Sequence, residues 1–566
     1  MSSSALRSAT GGSVRRKARV IYVGVLGSYL VCLTLWWIYV GRSTLPMVQT
    51  TSEHYWLTLR DANGLLHTTG MKAQATAKGA ITTVATSPSP SPPRKLKCLG
   101  WRQTGGCDAN GPREPDHDLP CDRSVIGGSS GYCALMDEAT GEEVHVMHLN
   151  CTSIHKTMAF KCEIAVQFDE FTNDVRVAVA QLQEQQHNDG AMQDEEERKV
   201  QQQLQVTTSD SGKNGIVMVM YPKLLVSVHA SIRLLRSLGC TLPIELWYLE
   251  SEMPGDAANV LEKHAILQSI VNSNGNVTLH GIASAQVKGF NSKVHAIVHS
   301  KLDNILFLDT DNVPVTDPTY LFSLPEFQAT GAMFWPDFWH PQDTFFNVQH
   351  ESLLWELLDM PFVDMFEQES GQILINKSHE KQRAALELLQ LFAFHDPSLF
   401  EKLKLVHGDK DLFRLAWLRT NTSFHMIEHP PGAAGQFKGN AFCGMTMVQF
   451  DPHGDVVFLH RNAMKFTREN AAKKQQRLWT HLQRFDLGPK GATMTLTERK
   501  ALIAEHYHIL IFGGGNLFPG VTMCYGENHT RPKSGYFRVV EWQTLPFREI
   551  ETTLLEFVHD ALALLK

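Results

Sequence analysis

The chain has no excess of positive charge, and this absence limits what it binds. Its 52 Lys and Arg residues are outnumbered by 59 Asp and Glu residues, so the formal net charge at pH 7 is −7. A chain that binds nucleic acid is expected to show a basic surplus, so this function class is not indicated. The glycine triplet at residues 513–515 lacks the Gly-Lys-Ser/Thr sequence of a phosphate-binding loop, so we interpret it as an ordinary loop.

Charged residues are also missing from Val20 to Val40, a run of 21 residues that is long enough to span a bilayer as a helix. Basic residues at 15, 16, 17 and 19 precede the run, whereas only Arg42 follows it closely, which predicts a cytosolic N-terminus. No small-x-small cleavage sequence follows, so the segment is predicted to be an uncleaved signal anchor. We therefore predict a cytoplasmic tail at 1–19, a single-pass type II anchor at 20–40 and a lumenal remainder.

Three further segments precede the large domain. Residues 41–97 end in an alternating Ser/Pro run and are predicted to be an extended stem. Residues 98–165 form a Cys-rich module, and residues 166–211, with Gln-rich and acidic runs, are interpreted as a polar linker or stem helix. Residues 212–566 form the large domain.

The Cys-rich module is short of large apolar residues and lacks Cys-x₂-Cys pairs. Its six cysteines are Cys98, Cys107, Cys121, Cys133, Cys151 and Cys162. In an oxidising lumen this composition favours three disulfides over a zinc module, with the pairing left open. Two roles stay open for the module, glycan binding and structural support. Cys240, Cys443 and Cys524 remain in the large domain, and their odd number predicts one free or externally paired cysteine.

Alternating strand and helix patterns organise the first part of the large domain. Apolar runs predict strands at 215–221, 242–248, 277–279 and 305–308, and helical spacing predicts helices at 224–238, 257–270 and 294–302. Strand, helix and strand in succession are typical of an α/β domain with a parallel sheet. The sequence thus predicts an α/β nucleotide-binding half that ends near residue 308.

Two carboxylates follow the last of these strands. Pro314 and Pro318 prevent the strand from continuing far, so Asp309 and Asp311 lie at its end. Residues two apart on an extended backbone point the same way, and the crevice beyond strand ends is where α/β sheets bind ligands. The two carboxylates would repel each other unless a cation lay between them, and Mg²⁺ or Mn²⁺ carrying phosphates suits such ligands. This pattern predicts a nucleotide-sugar site.

Other polar residues stand at conspicuous places. Asp337 lies among Trp and Phe residues, where a carboxylate needs either a salt-bridge partner or sugar hydroxyls. Gly371 would let the backbone approach a ligand closely. A predicted strand at 456–459 leads into His460 and Lys465, which could place an imidazole on a metal and an ammonium on a diphosphate.

Several of these blocks, in this order, resemble the fungal-type Golgi α-mannosyltransferases that extend and branch surface glycans. The blocks are residues 289–322, 331–340, 369–376, 408–418 and 458–465, within a similarity that covers about residues 212–470. The resemblance implies a GT-A glycosyltransferase fold, a Golgi membrane location, GDP-mannose as donor and a glycan or glycoprotein acceptor. It also implies Mn²⁺ (or Mg²⁺) as cofactor and an α-linked product, formed with retention at the anomeric carbon.

The resemblance implies roles for particular residues. Asp309, Asp311 and His460 would be the metal ligands, and the donor would contact Lys293, Lys465 and the acidic pair. Three carboxylates are candidates for catalysis. They are Asp409, in a turn similar to the Gly-Asp-Gln turn of glycogenin-like enzymes, Glu369 in the Glu-Ser-Gly-Gln block, and Asp337. Retention requires either a carboxylate nucleophile or front-face attack, and we favour the latter.

Two alternatives remain open at the level of sequence. One is the same fold acting on a UDP-sugar, because no residue pattern distinguishes guanine from uracil. The other is a glycan-binding or scaffold protein without turnover. The presence of Asp309, Asp311, His460 and Lys465 together favours an enzyme, since a purely structural protein has no need of all four.

Overall fold

A computed structural model describes residues 94–201, 213–439, 441–461, 465–467, 469, 477–491, 493–519, 521–527 and 535–565. All of them belong to one compact unit, Ala77–Lys566. The predicted tail and anchor, and all of the stem but its last residues, lie outside the described residues. In the part of the chain that is described, no helix is both long and apolar enough to cross a membrane.

The secondary structure is mixed α and β. The strands are β1 (Leu96–Gln103), β2 (Ser124–Ile126), β3 (Gly131–Asp137), β4 (Glu143–Leu149), β5 (Ala159–Lys161), β6 (Asn214–Val219), β7 (Ile244–Leu249), β8 (Val277–Ile282), β9 (Asn304–Leu308), β10 (Asn312–Pro314), β11 (Ala332–Pro336), β12 (Gln368–Asn376), β13 (His425–Met426), β14 (Gly432–Lys438), β15 (Ala441–Phe450), β16 (Val456–His460), β17 (His481–Phe485), β18 (Leu510–Phe512), β19 (Cys524–Gly526) and β20 (Phe537–Glu541). The helices are α1 (Ala165–Gln201), α2 (Leu225–Ser237), α3 (Ala257–Lys263), α4 (Ala265–Asn274), α5 (Asn291–His299), α6 (Pro325–Thr330), α7 (Leu354–Leu357), α8 (Glu380–Phe394), α9 (Leu399–Lys402), α10 (Leu412–Arg419), α11 (Gly488–Gly491), α12 (Leu496–His506) and α13 (Ile550–Ala563).

The Cys-rich module is a small β structure held by disulfides. Strands β1, β3 and β4 form an antiparallel sheet, and β2 pairs with β5. The three predicted disulfides are confirmed, and the structure adds their pairing, which is Cys98–Cys121, Cys107–Cys151 and Cys133–Cys162. Covalent links of this kind stabilise a module that is too small to bury a large core.

Helix α1 connects this module to the large domain. The segment was predicted to be a polar linker or stem helix, but its first half is packed against the protein. Its buried side chains recur every three or four residues, at Phe168, Phe171, Val175, Val179 and Leu182. Phe171 contacts the rings of Phe392 in α8 and Phe400 in α9. This spacing gives one apolar face, so the helix is a packed element as far as Leu182.

Hydrogen bonds between β4 and Glu356 in α7 also join the module to the large domain. The carboxylate of Glu356 accepts hydrogen bonds from the backbone N–H groups of Met147 and His148, each at 2.7 Å. It also lies 3.1 Å from the His148 ring, and this hydrogen bond raises the pKa of His148 although burial opposes the shift. The carboxylate of Glu356 therefore supplies the hydrogen-bond acceptor for two backbone N–H groups near the end of β4.

Replacing Glu356 by glutamine is expected to lower the free energy of unfolding by about 1–3 kcal/mol, because two partly buried backbone donors lose a charged acceptor. The raised pKa of His148 means that its protonated form stabilises the fold below about pH 6.5, and that this contribution is lost as the pH rises. Urea unfolding between pH 5.5 and 8 checks both points. The variant should lose part of the pH dependence, whereas the exposed control Glu142→Gln should match the wild type.

The central sheet of the large domain is mostly parallel. Its order is β13-β11-β12-β9-β6-β7-β8, in which β6, β7, β8 and β9 run parallel and β12 is antiparallel to both of its neighbours. The predicted α/β class and the strands before the acidic pair are confirmed. The helix predicted at 257–270 is instead two helices, because the backbone at His264 turns to an extended conformation.

A second, antiparallel sheet lies beyond the acidic pair. Its order is β10-β16-β15-β14-β17-β20, with β19 paired to both β15 and β18. A disulfide between Cys443 and Cys524 links β15 to β19, and Cys240 is buried and free. The C-terminal helix α13 is anchored by Glu551, whose carboxylate accepts the backbone N–H groups of Leu478 and Trp479. The tail therefore packs on the large domain.

Candidate active site

The acidic pair lies where the chain passes from the first sheet to the second. Strand β9 pairs with β12, with Leu308 opposite Gln372, and Asp309 follows directly. Strand β10 begins three residues later and pairs with β16, with Asn312 opposite His460. The backbone N–H of Arg461 donates to the carbonyl of Asp311 at 2.9 Å. The pairing of β10 with β16 therefore brings the end of β16 beside the acidic pair.

The three predicted metal ligands come together at this point. Ligating atoms of Asp309, Asp311 and His460 all lie within 4.8 Å of one another, and the closest approach between His460 Nε2 and Asp311 Oδ2 is 3.5 Å. Asp311 and His460 are buried, whereas Asp309 is partly exposed. Both ring nitrogens of His460 are buried without a hydrogen-bond partner among the described residues. Two carboxylates and an imidazole with uncommitted nitrogens form a donor set that fits a divalent cation.

The electrostatics of this group also favour a cation. Burial lowers the pKa of the His460 imidazole, but the carboxylates of Asp311 and Glu369 raise it to about 9. Burial alone would raise the pKa of Asp311, but His460 and Lys465 hold it well below its usual range. The negative potential here is therefore strong enough to outweigh the cost of burying a positive charge.

Two lysines flank the acidic pair from opposite elements. Lys465 Nζ lies 2.8 Å from Asp311 Oδ2, and its side chain is 43% exposed, so it can reach a ligand in the cleft. Lys293, in α5, is buried and lies 3.1 Å from Asp409 Oδ2 and 3.6 Å from Asp309 Oδ2. Burial lowers the pKa of Lys293, but the surrounding carboxylates raise it above its ordinary value. Both lysines are therefore positively charged beside the predicted donor site.

The three candidate catalytic carboxylates differ in their surroundings. Asp409 is buried against Lys293, and Asp337 is buried 2.6 Å from Lys410 Nζ. Glu369 has no lysine or arginine nitrogen within 4 Å among the described residues, and its nearest cationic group is the His460 ring at 3.6 Å. Burial raises the pKa of both Asp409 and Asp337, and the lysines offset only part of that rise. Of the three, Glu369 is the one without a lysine partner in the described part of the chain.

Gly371 allows the close packing between β12 and His460. A Cβ atom at residue 371 would lie 2.8 Å from two atoms of the His460 ring and 3.1 Å from Glu369 Oε1. The sequence predicted that this glycine admits a ligand. In the structure the ring of His460 occupies that space, and the Gly371 N–H donates to Glu369 Oε1 at 2.6 Å. The missing side chain therefore keeps a predicted metal ligand in position.

Substituting Gly371 by alanine is expected to displace His460, because a buried ring cannot move away as easily as a flexible chain end. The affinity for Mn²⁺ should fall by about 10–100-fold, the range seen when the support of a metal ligand is removed. Titration of Mn²⁺ binding, followed by electron paramagnetic resonance, checks this. Gly513→Ala is the matched control, since nothing lies within 4 Å of its added Cβ. Unchanged Mn²⁺ affinity in Gly371→Ala would argue against His460 as a ligand.

Several site residues were not identified from the sequence. Ser370 accepts from Lys293 Nζ through its carbonyl (2.7 Å) and its hydroxyl (3.0 Å). Lys410 Nζ lies 2.7 Å from Glu367 Oε2 as well as beside Asp337. Lys410 belongs to the same turn as Asp409, but adjacent residues on a turn point in different directions. No sequence signal indicates which of the two faces the donor site.

Comparison with known proteins shows that this part of the chain is similar to mannosyltransferases. Residues 213–451 match the model of a family described as "Mannosyltransferase putative". The α-1,2-mannosyltransferase MNN21 of Candida albicans is 26% identical over 324 residues, which covers 49% of this chain and 49% of that protein. The α-1,2-mannosyltransferase MNN2 of Saccharomyces cerevisiae is 26% identical over 276 residues, covering 42% and 45%. The chain thus spans about half the length of the curated relatives that it matches.

Similarity to solved structures is more distant. The galactosyltransferase LgtC, in complex with donor and acceptor sugar analogues, is 12% identical, with coverage of 38% of this chain and 73% of that chain and a TM-score of 0.28. Mouse xyloside xylosyltransferase 1 is 19% identical, with coverage of 38% and 85% and a TM-score of 0.26. Structural similarity at this level supports no conclusion about the function of this chain.

Proposed function

We propose that this chain transfers mannose from GDP-mannose to a glycan hydroxyl and forms an α-linkage, because residues 213–451 match a mannosyltransferase family model and the chain is similar to fungal α-1,2-mannosyltransferases. The observation that carries the proposal is the convergence of Asp309, Asp311 and His460 within 4.8 Å, with Lys465 beside them. His460 and Lys465 lie beyond the segment that the family model matches, and the pairing of β10 with β16 brings them to the acidic pair.

The two carboxylates and the imidazole would hold a divalent cation, Mn²⁺ or Mg²⁺. When bound, such an ion would stabilise the negative charge on the phosphates of the donor. Lys465 reaches the same region on a partly exposed side chain, and its ammonium would neutralise the departing nucleoside diphosphate. Lys293 is held by Ser370 and Asp409, so we assign it to orienting Asp409 and Asp309 toward the donor.

We propose front-face attack with retention. The bond between C1 of mannose and the phosphate oxygen breaks, and its electron pair goes to that oxygen. The acceptor hydroxyl oxygen then bonds to C1 from the same face, and its proton passes to the departing diphosphate.

Glu369, which has no lysine partner among the described residues, would stabilise the positive charge that develops on the sugar. Asp409 and Asp337 are already neutralised by lysines, so we propose that they orient the donor and the acceptor. Capture of a glycosyl-enzyme adduct would contradict this mechanism.

We extend the proposal to location and fold. The four disulfides of the described residues are typical of an oxidising compartment, which supports a lumenal position. We propose that the chain is a type II Golgi membrane protein, anchored by residues 20–40 and with a GT-A domain that acts on glycans or glycoproteins. The mostly parallel sheet followed by the acidic pair supports the GT-A assignment.

The test is donor hydrolysis by the full chain purified in detergent, against a panel of GDP- and UDP-sugars. GDP release from GDP-mannose that is abolished by chelator and restored by Mn²⁺ is the expected result. Release of UDP from a UDP-sugar instead would keep the site and replace the donor. Lack of turnover with every donor, in protein that still binds Mn²⁺, would contradict an enzymatic role and favour the glycan-binding alternative.

A further inference from the structure

A second group of metal-ligating side chains lies away from the acidic pair. His340 and Asp343 belong to the loop that follows β11, and His508 follows α12. Ligating atoms of the three residues all lie within 4.8 Å of one another. His340 is buried, whereas the side chains of His508 and Asp343 are 45% and 36% exposed. One ligand of the group is therefore fixed in the protein interior, while the other two can be reached by ions from solvent.

Hydrogen bonds to backbone carbonyls orient both imidazoles. Nε2 of His340 lies 2.8 Å from the carbonyl oxygen of Tyr507, and Nε2 of His508 lies 2.9 Å from that of Glu505. A carbonyl oxygen only accepts hydrogen bonds, so each ring carries a proton on Nε2. In the neutral imidazole the lone pair is then on Nδ1, which is how ligating histidines are usually held in metalloproteins.

The distances among these atoms suit a shared ion. His508 Nδ1 and Asp343 Oδ2 are 3.5 Å apart, which is too long for a good hydrogen bond. Two ligands on a tetrahedral Zn²⁺, with bonds of about 2.0–2.1 Å, are about 3.3 Å apart. His340 Nδ1 already has a hydrogen-bond partner, the side-chain amide of the exposed Gln342 at 2.9 Å, and an ion at this nitrogen would take the place of that hydrogen bond.

We propose that His340, Asp343 and His508 bind a Zn²⁺ ion, with the remaining position taken by Gln342 or water. Two imidazoles and one carboxylate are a nitrogen-rich set that suits zinc. The acidic pair with one imidazole is richer in oxygen and suits Mn²⁺ or Mg²⁺, so the two sites would take different ions. This proposal is independent of the proposed transfer reaction.

The ion would tie the loop after β11 to the chain after α12. Asp343 N–H donates to the His340 carbonyl at 2.8 Å, so the two ligands share one tight turn. The stacked rings of Trp339 and Phe345 flank that turn, and Asp337 lies three residues before His340. Binding of zinc would therefore stiffen the loop that continues from Asp337.

The test uses the full chain in detergent, stripped of metal by chelator and then titrated with Zn²⁺ and with Co²⁺ as a spectroscopic probe. Wild type should bind one more equivalent than His508→Ala, whose zinc affinity at this site should fall by at least about 100-fold, because a ligand is lost and even an outer-shell partner contributes about 10–100-fold. Asp343→Asn should behave likewise. His506→Ala is the matched control, because His506 is the last residue of α12 and does not belong to the group. It should bind zinc as the wild type does.

The second arm separates this site from the acidic pair. Asp311→Asn should retain the zinc equivalent that His508→Ala loses, and zinc should raise the melting temperature of Asp311→Asn but not of His508→Ala. Both substitutions at the proposed site replace partly exposed side chains, so the fold is expected to survive them. Equal zinc stoichiometry and affinity in wild type, His508→Ala and Asp343→Asn would overturn the proposal. So would the loss of all zinc binding in Asp311→Asn alone.

Discussion

Replacing Asp311 by asparagine is expected to lower the rate of GDP release from GDP-mannose about 10³-fold, the size of effect that follows loss of a group stabilising charge in the transition state. Asparagine keeps the shape of the side chain but removes its charge. Asp311 is buried between His460 Nε2 at 3.5 Å and Lys465 Nζ at 2.8 Å, so its charge holds both groups in the site. The affinity for Mn²⁺ should fall together with the rate.

Steady-state kinetics at several Mn²⁺ concentrations check this expectation. If Asp311→Asn lowers only the affinity for Mn²⁺, a high Mn²⁺ concentration will restore kcat. If Asp311 also positions Lys465, kcat will stay low at every Mn²⁺ concentration. Asp364→Asn is the matched control, because it removes an exposed carboxylate that is outside the site. Activity within about threefold of wild type in Asp311→Asn would remove the basis of the proposed site.

Replacing Lys410 by methionine is expected to destabilise the fold by about 3–5 kcal/mol, the cost of leaving buried charges without a partner. Lys410 Nζ lies 2.6 Å from Asp337 and 2.7 Å from Glu367, and all three side chains are at most 8% exposed. Methionine fills a similar volume and keeps the contact with the ring of Phe346, over which the ammonium now lies at 4.4 Å. The loss of stability in Lys410→Met is therefore expected to come from the missing charge and not from altered packing.

The pH dependence of Lys410→Met distinguishes this cause from a packing defect. Burial raises the pKa of Asp337 and of Glu367, and Lys410 now lowers both, so the substitution should raise them further. A carboxyl group with a raised pKa in the folded state stabilises the fold at low pH and loses that contribution as the pH rises. The destabilisation should accordingly shrink as the pH falls from 8 toward 5.

Urea unfolding at several pH values gives this measurement. Adding Glu367→Gln to Lys410→Met should recover part of the stability at pH 8, because one of the two uncompensated charges is gone. The exposed Lys402→Met, in α9, serves as the control and should unfold as the wild type does. A destabilisation that is the same at pH 5 and pH 8 would assign the effect to packing instead.

Local patterns were sufficient to predict much of the architecture. Apolar runs of four to seven residues predicted β6, β7 and β9, and helical spacing predicted α2 and most of α5, because these elements bury their side chains in a regular period. The same local reasoning placed Asp309 and Asp311 at the end of a strand. It missed the break at His264 between α3 and α4, where the backbone turns without a Gly or Pro to indicate it.

The sequence by itself determined which chemistry is available: an acidic pair after a buried strand, cysteines enough for disulfides, and a set of lysines and carboxylates. Only the tertiary structure decided which of these meet. His460 reaches Asp311 because β10 pairs with β16 across nearly 150 residues of chain, and His508 reaches Asp343 across a similar separation. It likewise decided that Lys410 neutralises Asp337, while Glu369 has no lysine partner among the described residues. Side-chain direction at such contacts depends on packing between distant elements, which no local period encodes.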